Sequence, residues 1–126
     1  TPHVGEFAQL FANTSGLDIS GTPIEQALTA AKSADAVVIL KGPTTVIAAP
    51  DGRAAIADKA TSWLSTAGTG DVLAGLCAAR LAVNGDPFQA ACEAVWLHGE
   101  AARRAGAAFV ADDLLNYISA AFASCL

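Results

Sequence analysis

Ala67-Gly68-Thr69-Gly70-Asp71-Val72-Leu73-Ala74-Gly75 joins a glycine-rich turn to an apolar helix and sets a carboxylate at the junction. Glycines let a backbone turn tightly and bring its N–H groups close to a ligand, while the first turn of a helix offers unpaired donors and positive dipole potential. A phosphate fits such a place. Asp71 reads in two ways: as a helix cap satisfying orphan amides, typically at ~1 kcal/mol, or as a carboxylate placed for proton transfer. The nine residues alone leave both readings open.

Downstream, the pattern is helical. A helix over residues 71–83 is closed by Asn84-Gly85, Asp86-Pro87 opens a second that runs to about residue 105, and Asp112 opens a last one to about residue 124. Ala74, Ala78, Ala79, Ala90, Ala91, Ala94, Ala101 and Ala102 give these helices small faces for close approach. Asp112-Asp113 reads as a helix cap. His98-Gly99 reads as a packing device, because glycine inside a helix normally marks a close crossing.

Upstream, residues 58–70 read as a loop leading to the site, carrying Trp63 and the Thr66 and Thr69 hydroxyls. Before it, residues 45–49 and 53–57 flank Pro50-Asp51-Gly52, a hairpin signal of the two-residue type that gives the sheet an antiparallel edge. The run Ala36-Val37-Val38-Ile39-Leu40 has the composition of a strand buried on both faces, as in parallel sheets covered by helices. It ends at Lys41-Gly42-Pro43-Thr44-Thr45, beyond the carboxyl end of the strand, where open α/β sheets bind ligands. Residues 6–12 and 23–32 read as amphipathic helices, the second opened by Thr22-Pro23, with Asn13-Thr14-Ser15-Gly16 as a turn between them.

A chain of 126 residues fits one domain with a real core, and no boundary is read inside it. Hydrophobic residues make up 53%, much of it alanine, and no run approaches the ~18 to 20 apolar residues that span a bilayer. The balance of 7 basic and 12 acidic residues gives a net charge of −5, with basic residues scattered apart from Arg103-Arg104, which argues against nucleic acid as a partner. Cys77, Cys92 and Cys125 are widely spaced and form no Cys-x-x-Cys pair, so neither a disulfide framework nor a zinc site is indicated, and a reducing cytoplasm is expected. The chain has no methionine and starts Thr1-Pro2-His3 without a signal-peptide pattern, as a piece of a longer protein would.

Taken in order, the features are a Thr-Pro-His-x-Gly-Glu start, a buried strand ending in Lys-Gly-x-x-Thr, a hairpin, the Ala-Gly-Thr-Gly-Asp-Val-Leu-Ala-Gly block and an alanine-rich helix with His-Gly. This order resembles the C-terminal half of the ADP-dependent NAD(P)H-hydrate dehydratases, members of the ribokinase-like superfamily, over essentially the whole chain. The Gly-Thr-Gly-Asp block is shared widely in that superfamily; its combination with Thr1-Pro2-His3 and Lys41-Gly42-Pro43-Thr44-Thr45 is the specific signal. Val4 departs from the family pattern, standing where a proline is usual.

The resemblance implies the C-terminal half of a three-layer α/β/α sandwich, with a short sheet containing a hairpin and about five helices, the upstream part of the domain being absent. It implies removal of water from NAD(P)H hydrate with ADP or ATP as cofactor, by phosphorylation of the hydroxyl and elimination of phosphate. By the same resemblance Asp71 is the catalytic base at the substrate hydroxyl, His3 contacts substrate, and Lys41, Gly42, Pro43, Thr44 and Thr45 bind the nucleotide. Gly68, Thr69 and Gly70 would supply backbone N–H groups to its phosphates. Mg²⁺ is expected on those phosphates, with no cluster of protein ligands that would hold it alone.

Two other readings stand beside this one. A small-molecule kinase of the same superfamily would leave phosphate on the hydroxymethyl group of a vitamin precursor. Alternatively, the chain is a non-catalytic piece that assembles with itself or with the missing half, because an exposed sheet edge demands a partner. A homo-oligomer is expected on that ground, with no membrane partner.

Overall fold

A computed structural model describes residues 1–57 and 60–126. The chain divides into two compact units, Thr1–Asp58 and Lys59–Leu126. Asp58, at the start of the loop expected to lead to the site, lies with Lys59 outside the described residues.

The first unit holds two helices, α1 (Val4–Phe11) and α2 (Pro23–Ala34), and three strands, β1 (Val38–Leu40), β2 (Val46–Ala48) and β3 (Ala54–Ile56), in the order β1-β2-β3. Helix α2 starts where Thr22-Pro23 predicts. The Thr22 hydroxyl accepts from the Glu25 amide, the Glu25 carboxylate accepts from the Thr22 amide at 2.7 Å, and Pro23 occupies the first helical position, where its missing N–H is harmless. Phe7 and Phe11, one helical turn apart, pack with ring centroids 4.8 Å apart and planes tilted by 45°. Phe7 joins Ala27, Ala30, Ala31, Val38, Leu40, Val46 and Ala48 in the buried core of the unit.

All three strands pair antiparallel, with Leu40 opposite Val46 and Val46 opposite Ile56. The run 36–40, expected to resemble a parallel-sheet strand, is therefore antiparallel to β2, since the short link over residues 41–45 cannot make a parallel crossover. Its other edge carries a parallel bridge, His3 to Lys41. Burial on both faces is as expected, with Val38, Ile39 and Leu40 all inside.

The hairpin between β2 and β3 falls where Pro50-Asp51-Gly52 predicts, but its loop has three residues and not two. The Gly52 amide donates to the Ala49 carbonyl and the Ala49 amide to the Arg53 carbonyl. A two-residue I′ turn centred on Asp51-Gly52 would put position 50 in the closing pair, where its amide must donate to the Arg53 carbonyl, and proline has no N–H to give. Pro50 instead opens a turn that Gly52, at φ 95°, completes as the left-handed residue.

The second unit is a helical layer. A 3₁₀ turn at Ser62–Ser65 leads into α3 (Thr69–Asn84), α4 (Pro87–Ala105) and α5 (Ala111–Ala123). Gly85 ends α3 in the left-handed region, and the Asp86 carboxylate caps α4 by accepting from the Phe88 and Gln89 amides. At α5 the Asp113 carboxylate accepts from the Val110 amide, while Asp112 lies in the first turn. The alanine stripe of α4 is buried as expected, with Ala90, Ala91, Ala94, Ala101 and Ala102 inside. Arg80 and Asn84 of α3 converge on the Glu93 carboxylate of α4, and the Arg80 guanidinium also stands 5.2 Å over the Phe122 ring of α5. Phe109 and Leu114 close a small core with Ala102.

Candidate active site

In the first unit, two of the residues marked by the sequence come together. The Lys41 amide donates to the Pro2 carbonyl at 2.9 Å, so His3 lies beside Lys41 at the carboxyl end of β1. Gly42, Pro43, Thr44 and Thr45 follow as the β1–β2 connection, with residues 42–44 exposed and Lys41 and Thr45 half-buried. The Thr45 carbonyl is engaged by the Ala57 amide. Lys41 is thus fixed in its backbone on a loop whose next three residues are open to solvent.

His3 has a structural task besides any ligand contact. It caps α1: Nδ1 accepts from the Gly5 and Glu6 amides at 3.0 and 3.2 Å, and the Glu6 carboxylate returns the favour by accepting from the His3 amide at 2.8 Å. A nitrogen that accepts carries no proton, so Nε2 carries it, and Nε2 is left facing solvent and the Glu6 carboxylate 3.5 Å away. The His3 amide, with smaller help from the charge of Lys41, holds the Glu6 carboxyl below the usual carboxylate range. Val4 stands at the first helical position of α1, where a proline is also well suited.

In the second unit, the glycine-rich turn has the geometry its sequence implies. Gly68 is the N-cap of α3, left-handed at φ 88°, and a Cβ there would lie 3.0 Å from the Ala111 Cβ. Thr69 is buried, its hydroxyl proton shared between the Leu64 and Thr66 carbonyls at 2.6 and 2.8 Å. The turn is locked from inside by that threonine. The Thr69 amide donates to the Thr66 carbonyl and the Asp71 amide to the Gly68 carbonyl, so neither is a free donor. No hydrogen bond from the Gly68 or Gly70 amide is found among the described residues, and these are the donors the turn can offer an anion. Asp71 lies exposed in the first turn of α3.

Near the turn lies His98-Gly99, read in the sequence as a packing device. His98 of α4 is buried and places Nε2 2.9 Å from the Thr69 carbonyl. Gly99 does not mark a close crossing, since a Cβ there would meet no atom within 4 Å. The signal available was the spacing of Ala90, Ala91, Ala94, Leu97, His98, Ala101 and Ala102, which puts His98 on a buried apolar stripe, where a polar group must find a partner.

Among the described residues no three His, Cys, Asp or Glu side chains gather to hold a metal. Also among the described residues, no helix is long and apolar enough to cross a membrane. Burial pushes the Cys77 thiol up, away from the reactive thiolate form.

Residues 1–123 match the family model described as NAD(P)H-hydrate dehydratase. The chain is 43% identical over 123 residues to the bifunctional NAD(P)H-hydrate repair enzyme Nnr of Salinibacter ruber, covering 94% of this chain and 22% of that protein. It is 38% identical over 108 residues to the ADP-dependent (S)-NAD(P)H-hydrate dehydratase of Cenarchaeum symbiosum, covering 83% of this chain and 36% of that protein. Among solved structures, it resembles the ADP/ATP-dependent NAD(P)H-hydrate dehydratase of Bacillus subtilis co-crystallized with ATP/Mg²⁺ and soaked with CoA. That likeness has a TM-score of 0.86 at 30% identity, covering 98% of this chain and 47% of that one. The chain thus spans about a fifth to a third of these curated relatives and just under half of the solved chain.

Proposed function

The chain belongs to the NAD(P)H-hydrate dehydratase family, and from that membership we propose that the protein carrying it dehydrates hydrated NADH or NADPH at the expense of ADP or ATP. The substrate hydroxyl is phosphorylated and phosphate is then eliminated. The observation that carries the reading is the start of α3, where a left-handed glycine, two amides without a partner among the described residues and an exposed carboxylate fall within four residues. Phosphoryl transfer needs little else from a protein than positioning, a base near the attacking hydroxyl and donors for the charge on the transferring group.

In this reading the Gly68 and Gly70 amides face the phosphates and Asp71 takes the proton of the substrate hydroxyl. Thr69 contributes by locking the turn, its side chain being buried. Lys41 and the loop of Gly42, Pro43, Thr44 and Thr45 bind the nucleotide, the ammonium supplying charge and the loop supplying backbone and hydroxyl donors. His3 offers substrate its Nε2–H, because Nδ1 is held by α1. Mg²⁺ bound to the nucleotide oxygens would neutralise phosphate charge. The proposal includes the cytoplasm as the site of action, an upstream part of the domain, and a homo-oligomer.

The test is Asp71→Asn in a protein that holds this segment with its upstream part. Nucleotide binding should persist while turnover falls by about a hundredfold or more; turnover within a few-fold of wild type removes Asp71 from the role of base. Product analysis decides the reaction class. Free phosphate with restored NAD(P)H marks dehydration, whereas a stable phosphoester marks a small-molecule kinase.

A further inference from the structure

The hydrogen bond from His98 to the turn of α3 does more than join two helices. A carbonyl oxygen only accepts, so the 2.9 Å contact requires that His98 Nε2 carry a proton and donate it to the Thr69 carbonyl. That carbonyl already belongs to the first residue of α3, where the helical pattern provides an acceptor role without outside help. The bond is therefore not needed to satisfy Thr69, and its effect lies elsewhere in the peptide unit.

The Thr69 carbonyl and the Gly70 N–H are the two ends of one planar amide. We infer that His98 is a positioning residue for phosphate recognition: by holding the Thr69 carbonyl, it fixes the peptide plane that aims the Gly70 N–H at the transferring phosphoryl group. This rests on the reading of the turn as the phosphate site. Glycine at position 70 has no side chain to restrain its own peptide, so an outside restraint has a purpose there. A donor on the carbonyl end also polarises the amide and strengthens its N–H as a donor to an anion. Thr69 anchors the turn on one side through its hydroxyl, and His98 anchors the next peptide from α4.

The experiment compares wild type with His98→Leu, His98→Gln and His98→Asn in the protein that includes the upstream part. Glutamine can set an amide N–H near the place of Nε2, while asparagine is too short and leucine has no donor. His98→Leu should lower kcat by about tenfold or more, with the KM for hydrate changed by less than about twofold, since the lost effect falls on the charge of the transition state. His98→Gln should recover most of kcat and His98→Asn should not, so the Gln and Asn pair still decides the matter where leucine fails to fold. In parallel, the Gly70 amide resonance is followed on addition of ADP. Its shift should be retained in wild type and His98→Gln and reduced in the other two.

Equal kcat in all four proteins, or His98→Gln as poor as His98→Asn, overturns the inference. Should the wild type lack dehydratase activity, the functional reading falls and the Gly70 response alone decides. A response in wild type and His98→Gln only upholds the role of His98, and an equal response in all four, or none in wild type, overturns it.

Discussion

Gly68 and Gly75 sit seven residues apart in the same block, yet their backbones make opposite demands. Gly68 is left-handed at φ 88°, and a methyl group there would stand 3.0 Å from the Ala111 Cβ. Gly75 lies inside α3, where an added Cβ meets nothing within 4 Å. Gly68→Ala should therefore destabilise the chain by about 1–2 kcal/mol from the left-handed strain alone, while Gly75→Ala should stabilise it by roughly 0.5–1 kcal/mol through helix propensity. Thermal or denaturant melts of the two variants check this, and shifts of equal sign would sink it. The sequence showed that glycines stood at a turn; which of them needed to be glycine depends on φ and on a neighbour 43 positions away, which no local pattern carries. His3 shows the same limit, because the resemblance marked it as a substrate contact, and its task as the cap of α1, which occupies Nδ1, was not read from the sequence.

The helices were the most legible elements, since their ends are written in short-range chemistry. Thr22-Pro23, Asp86-Pro87 and Asn84-Gly85 all mark boundaries that the structure keeps. The hairpin was legible in place but not in loop length, because proline at position 50 excludes the I′ turn that the Asp-Gly pair suggests. Helix α4 ends in a charge cluster whose contribution depends on pH. Arg103 donates to both Glu100 oxygens at 2.6 Å and Arg104 adds a bond at 2.8 Å. These bonds, Arg103 first, hold the Glu100 carboxyl down from an ordinary 4.5 to about 2. A carboxylate depressed in the folded state stabilises fully above its unfolded value and loses that contribution as pH falls through the folded one. The difference in melting temperature between wild type and Glu100→Gln should thus be constant above pH 5 and shrink steadily between about pH 4.5 and 2. Arg103 is largely open to solvent, so added salt should shrink the difference too. A gap that stays unchanged on acidification would refute the ionic origin.

At the scale of the whole molecule, the order of motifs pointed to the family although no single motif did, because the Gly-Thr-Gly-Asp block recurs in many relatives and its company does not. Strand direction was less legible: an apolar run says that both faces are covered, not which way its neighbours run. The β1 edge turns that gap into a prediction. One side of β1 is paired to β2, and on the other the Lys41 amide meets the Pro2 carbonyl in a parallel bridge. Strand alternation then turns the Ile39 amide and carbonyl toward the same outer side. Residues placed ahead of Thr1 would continue the parallel pairing along Ile39, whose side chain is already buried. In the 126-residue chain alone, the Ile39 amide should exchange quickly when dilute and slow down as the chain self-associates. Joined to the upstream part proposed for the domain, it should be protected at every concentration. Hydrogen exchange followed alongside sedimentation separates these outcomes, and an Ile39 amide protected in a monomeric 126-residue chain would show that β1 needs no further strand.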